Sequence, residues 1–130
     1  MRKASLALAI ALAGAGALAV VAQEVKTVDK GIEIQNTSSI LNAAAPFTES
    51  EEKCANASAG FSIIPESVKA TVVDTTLTDP GGNMDEKPIK AEARTRLTDN
   101  NTKICMKSYC EAGVAYQCMI KVSASWQEKK

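Results

Sequence analysis

Four cysteines and no histidine set the chemistry open to this 130-residue chain. The cysteines are Cys54, Cys105, Cys110 and Cys118, spaced C-x50-C-x4-C-x7-C. Thiols can crosslink, hold a soft metal or exchange electrons. This spacing is not that of a zinc site, and no histidine exists to complete one. No C-x-x-C is present, which removes a thioredoxin-like redox centre. An even count points to two disulfides, with three connectivities open. The steps Cys105-Met106 and Cys118-Met119 offer soft sulfur of the kind that suits cuprous copper, the alternative reading of the same residues.

The missing histidine also excludes Ser-His-Asp and Cys-His catalysis, histidine-ligated metals and histidine pH switches. Paired carboxylates are then the remaining catalytic route. Asp74 lies in an apolar, β-branched stretch and is better read as an edge residue than as a tuned acid. Glu49, Glu51 and Glu52 fit a helix N-terminus, where the dipole favours negative charge. The chain is expected not to be an enzyme and to need no cofactor.

The strongest turn signal is Asp79-Pro-Gly-Gly-Asn83. With Met84 to Lys87 it forms a long exposed loop, and Asp79, Gly81, Gly82, Asn83, Met84 and Asp85 are candidate interaction residues. Asp79, Asn83 and Asp85 do not follow the EF-hand order, which argues against calcium. Asn56-Ala-Ser58 matches an N-glycosylation sequon, relevant only in a eukaryotic secretory pathway.

The first residues say where such chemistry would take place. Arg2 and Lys3 precede an uncharged apolar run from Leu6 to Val21, and charge resumes at Glu24. This is the plan of a secretory signal peptide, with cleavage expected after Ala22. The cysteines beyond it would then fold where disulfides persist, in a periplasm or outside the cell. After cleavage no membrane span is expected. Taking Arg2 and Lys3 from the 15 basic residues leaves 13 against 15 acidic ones, a net charge of −2. No basic stripe remains, which argues against a nucleic-acid partner.

Residues 23–130 are expected to form a single secreted domain. Its predicted organisation is a loose arm over 23–31 and a β-rich core over 60–127. Gly31 to Asn36 alternates apolar and polar side chains and reads as a strand. Ile40 to Ala45 suggests a helical turn closed by Pro46. Thr48-Glu-Ser-Glu51 matches a capping box and predicts a short helix from Glu49 to Ala57. Val68 to Thr78 is dense in β-branched residues and reads as a strand. Pro88 to Leu97 and Lys103 to Cys110 follow as strands. Val114 to Gln127 is the best of them, with Val114, Tyr116, Cys118, Ile120, Val122, Ala124 and Trp126 on one face.

The fold class expected is mainly β with some α: a small antiparallel meander of about four to five strands with one short helix, stapled by disulfides. A three-residue turn at Glu111-Ala-Gly113, with Gly113 left-handed, would join the last two strands. With Cys110 opposite Val114, Cys105 and Cys118 fall on opposite faces. Cys105 and Cys110 then lie about 16 Å apart. One stretch must bend or slip for both disulfides to form. Cys118, on the apolar face, would suit Cys54 in a covering helix, but the connectivity stays open.

These features fit a small secreted or periplasmic binding or accessory protein that presents a surface to another secreted or envelope protein. An exported inhibitor using the 79–87 loop, or a copper-handling protein using the cysteine and methionine sulfurs, are the alternatives.

Overall fold

The computed structural model describes residues 24–28 and 31–130. The expected leader and its cleavage site lie outside the described residues. Ten strands follow in order: β1 Val25–Thr27, β2 Ile32–Ser39, β3 Phe47–Glu49, β4 Lys53–Asn56, β5 Ser62–Ile63, β6 Lys69–Thr78, β7 Lys90–Thr98, β8 Lys103–Glu111, β9 Gln117–Ser125 and β10 Gln127–Lys129. A single 3-10 turn, Pro65–Ser67, is the helical element among the described residues.

The expected mainly β, antiparallel, disulfide-bonded fold is present, but not as one small sheet. Three sheets form. The first has the order β2-β9-β6, the second sets β3 and β4 on one side of β8 with β7 on the other, and the third is β1-β10-β5. Every pairing is antiparallel.

The two larger sheets enclose one apolar core. Cys118, Ile120, Val122, Ala124 and Trp126 enter it from β9 and its end, Ile104, Met106 and Cys110 from β8, and Ile32 and Ile34 from β2. The alternation of β9 therefore falls as its sequence pattern requires. β6 reaches the same core despite an odd spacing between Val72 and Leu77. A register shift between Val72 and Asp74 lets Val72 pack inward, leaves Val73 54% exposed, and restores the inward phase at Leu77.

Several sequence expectations are corrected. The helix over Glu49–Ala57 does not form. Its residues are the short strands β3 and β4, both laid along β8. Thr48 does not cap; its hydroxyl meets Ser38 on β2. Ser50 instead engages Ser108, donating its amide to the Ser108 carbonyl at 3.1 Å and accepting the Ser108 amide on Oγ at 2.8 Å. Tertiary pairing here overrides a local helical signal.

Ile40 to Ala45 is a tight turn rather than a helical one, with the Ala45 amide on the Asn42 carbonyl at 3.1 Å. The arm over 23–31 is not loose where it is described: β1 pairs with β10, and the Val28 amide bonds the Trp126 carbonyl at 3.1 Å.

The meander is also replaced. β8 and β9 are not hydrogen-bonded neighbours, so the connection 112–116 crosses between sheets instead of closing a hairpin. Its left-handed residue is Ala115, at φ 71°, and not Gly113. A Cβ at Gly113 would meet the Tyr116 ring at 2.7 Å, so glycine serves close packing there.

Candidate functional site

Three connections between sheets gather at one end of the molecule. Ser39 and Thr78 both align with Gln117, while Phe47 and Lys90 both align with Glu111. The segments 40–46, 79–89 and 112–116 therefore leave the strands at the same level. Backbone bonds pin them together. The Ile40 amide reaches the Tyr116 carbonyl at 2.9 Å, and the Ala115 amide reaches the Ile40 carbonyl at 2.7 Å. The Ala112 amide bonds Pro46, and the Ile89 amide bonds Glu111. The disulfide Cys110–Cys118 crosses between the sheets just beneath them.

The candidate loop is ordered by one side chain. Asp79 Oδ1 accepts from the Gly81 amide at 2.9 Å and the Asn83 amide at 2.8 Å. Asn83 Oδ1 takes the Asp85 amide at 3.0 Å, and the Asn83 carbonyl takes the Asp79 amide at 3.0 Å. Gly82 supplies the left-handed step, at φ 86°. Glu86 then bridges back to Leu77. The side chains of Asp79 and Asn83 are turned onto the loop's own backbone, and its large apolar side chains face out. Met84 is 60% exposed and Ile89 74%; on the neighbouring connections Leu41 is 80% and Val114 43% exposed. The exposure of Val114 departs from its expected place on the buried face of a strand over Val114 to Gln127, since β9 begins only at Gln117.

The four cysteines form Cys54–Cys105 and Cys110–Cys118. Cys105 and Cys110 stand on opposite faces of β8. The pair Cys110–Cys118 lies in the core, and Cys54–Cys105 lies on the outer face of the second sheet, between directly opposed residues of β4 and β8. The opposite-face conflict of a β8–β9 hairpin does not arise, because β9 belongs to the facing sheet. The sulfurs considered for copper are not brought together. Cys105 and Cys118 are in different disulfides, Met106 is in the core, and Met119 sits between Thr37 and Thr76 on the first sheet.

The outer face of the second sheet carries a lattice of ion pairs that is only half visible in the sequence. The alternation of Lys90, Glu92, Arg94 and Arg96 signalled a solvated strand face. Its partners Glu49 and Glu52 carry a helix-cap signal in the sequence, which conceals the lattice.

Arg94 bonds Glu92, approaches Glu49 at 3.6 Å and covers the Tyr109 ring at 3.7 Å. Phe47 stacks on the same ring at 5.2 Å. Burial and the hydrogen bond to Glu111 raise the Tyr109 phenol above its ordinary value. The hydrogen bond from Arg94 lowers the Glu92 carboxyl, and Glu92 in turn raises Arg94. Arg96 grips Glu52 with two hydrogen bonds, at 2.9 and 2.7 Å, which lowers Glu52 and raises Arg96. The carboxylate and guanidinium shifts follow from exposed ion pairing.

Glu52 Oε and the sulfurs of Cys54 and Cys105 lie within 4.8 Å of one another. The sulfurs are bonded to each other and Glu52 is engaged by Arg96, so this trio is not a metal centre as it stands. Asp74 is exposed opposite Lys121, in keeping with an edge residue. Tyr116 packs against the core and Trp126 is within it.

No protein-family model, curated protein or solved structure matches this chain. Among the described residues no helix is long and apolar enough to cross a membrane. The two disulfides are compatible with a periplasmic or extracellular protein.

Proposed function

We propose that this chain is a small exported, non-enzymatic binding or accessory domain that engages another secreted or envelope protein through its three-loop end. One observation carries the reading: Leu41, Met84, Ile89 and Val114 stand exposed on connections that a buried disulfide and backbone bonds hold together. A rigid scaffold presenting loops is a recurrent way to build a recognition surface. Large apolar side chains held out on ordered loops lower the entropy lost on binding. The absence of histidine and the explanation of each shifted carboxylate by ion pairing or hydrogen bonding support a non-catalytic role. A net charge near −2 after leader removal supports a protein partner over nucleic acid.

The test is zero-length crosslinking of the wild type and of a Leu41→Ser/Ile89→Ser variant in the secreted and envelope fractions of the native host. A discrete adduct formed by the wild type and lost in the variant, with both equally folded, is the expected result. Adducts unchanged by the double substitution would overturn the reading.

A further inference from the structure

The two disulfides occupy opposed environments, and the difference has chemical content. Cys110 and Cys118 are both 0% exposed, inside the core cluster. Cys54 is exposed on an edge strand of four residues, and its partner Cys105 is covered but stands outside the core. A thiolate can therefore reach the Cys54 sulfur without the sheets opening, whereas the Cys110–Cys118 bond is reached only by unfolding.

The surroundings of Cys105 decide which sulfur leaves. Arg96 on β7 is directly opposite Cys105, as Cys54 is on β4. Lys103 and Lys107 lie on the same strand face and act on neighbouring Glu52. Glu52 is the one carboxylate of the cluster, and its charge is matched by the Arg96 guanidinium in a two-bond pair. Cationic neighbours stabilise a thiolate and so make it the faster leaving group.

The geometry points to Cys54–Cys105 as a thiol-exchange site in the folded protein, with Cys54 the sulfur attacked by a small thiol or dithiol and Cys105 the sulfur released. A thiolate of the reductant forms a bond to Cys54 Sγ as the Cys54–Cys105 bond breaks. The electron pair passes to Cys105 Sγ, which takes a proton from water. A monothiol stops at a mixed disulfide on Cys54. The second thiol of a dithiol closes on the first, leaves as a cyclic disulfide, and releases Cys54 as a thiol. The protein bond gains two electrons and the dithiol loses two.

The test treats the oxidised, folded protein with dithiothreitol in native buffer, quenches with iodoacetamide over time, and maps labelled peptides by mass. Labels on Cys54 and Cys105, with Cys110 and Cys118 unlabelled until denaturant is added, are the expected result. Glutathione in place of dithiothreitol, followed by acid quenching, places its adduct on Cys54. Arg96→Gln slows opening several-fold, and Arg96→Lys restores most of the rate. Equal opening of both disulfides, no opening without denaturant, an adduct on Cys105, or an Arg96→Gln rate equal to wild type would overturn the assignment.

Discussion

Trp126 Nε1 donates to Glu128 Oε2 at 2.9 Å, joining two residues that are 3% and 1% exposed. The other carboxylate oxygen accepts the Ser58 amide at 3.0 Å, 70 positions away. Glu128 thus anchors the third sheet to the loop before β5. Removing it strands two donors, one of them buried. Glu128→Ala is expected to cost about 3 kcal/mol, and Glu128→Gln about half of that, because one acceptor survives. Urea unfolding measures both, and equal midpoints for wild type and Glu128→Ala would refute the anchoring role.

The same carboxylate predicts an acid dependence. Burial works to raise its pKa, but the hydrogen bonds from Trp126 and Ser58, helped by Lys26, outweigh it and the net shift is downward. A carboxyl lowered in the folded state adds stability above its unfolded pKa of about 4.3, and that stability is lost as pH falls through the folded value. Glu52 and Glu92 are lowered too and add to the acid limb. The difference between wild type and Glu128→Gln isolates one group. It should shrink as pH drops below about 4, and a difference constant from pH 6 to pH 2 would contradict the assignment.

The strands most legible in the sequence were those with clean alternation. β2, β7 and β9 follow from alternation, whereas β6, whose alternation is broken by the register shift after Val72, follows from its β-branched residues. The inward set of β9, from Cys118 to Trp126, is a direct reading of a period of two. Periodicity fixes the face of a strand and not its neighbour. β8 and β9 looked like a hairpin, yet the segment 112–116 carries the chain to the other sheet, and so does 79–89. The disulfide map was hidden for the same reason, since Cys54 meets Cys105 only once β4 is laid on β8. The β4 strand itself was masked by Thr48 and Glu51, which imitate a capping box while their segment is claimed by pairing. Of the candidate site, the 79–85 loop was visible from Pro and Gly, but Leu41 and Ile89 gained meaning only when the topology put their connections at one end.

Separate removal of the two disulfides should give unequal losses. Cys54–Cys105 closes a separation of 51 residues and Cys110–Cys118 one of 8. Chain entropy alone gives about 4 and about 2.5 kcal/mol respectively. The second figure rises when both buried sulfurs are replaced by alanine, because a void opens in the core. Paired Cys→Ser substitution at 54 and 105, and paired Cys→Ala at 110 and 118, should therefore both lower the unfolding midpoint. An unchanged midpoint for the 54/105 pair would mean that the unfolded chain gains nothing from its release.

Gly31 is required by a close approach and not by its backbone angle. A Cβ there would stand 1.6 Å from the Ala124 carbonyl oxygen and 3.1 Å from the Trp126 ring. Both neighbours are fixed, one as backbone in the central strand of the first sheet and the other as a buried indole. Gly31→Ala must push β2 off β9 at its first residue. The expected cost is about 2–3 kcal/mol, in the range of overpacked cores. Thermal unfolding reads it, and a neutral result would show that the entry to β2 can shift freely.

Ser108 supplies the opposite sign. It is 0% exposed on the core side of β8, and its Oγ has no hydrogen-bond partner among the described residues. Its backbone is satisfied through Ser50, so the pairing of β3 with β8 does not depend on the hydroxyl. A buried, unpaired hydroxyl carries its desolvation cost without return. Replacing it by a methyl group keeps nearly the same volume beside Met106 and Cys110. Ser108→Ala should be neutral or stabilising by up to about 1 kcal/mol. A loss of more than about 1 kcal/mol in urea unfolding would show that the hydroxyl is bonded in solution, with a buried water as its partner.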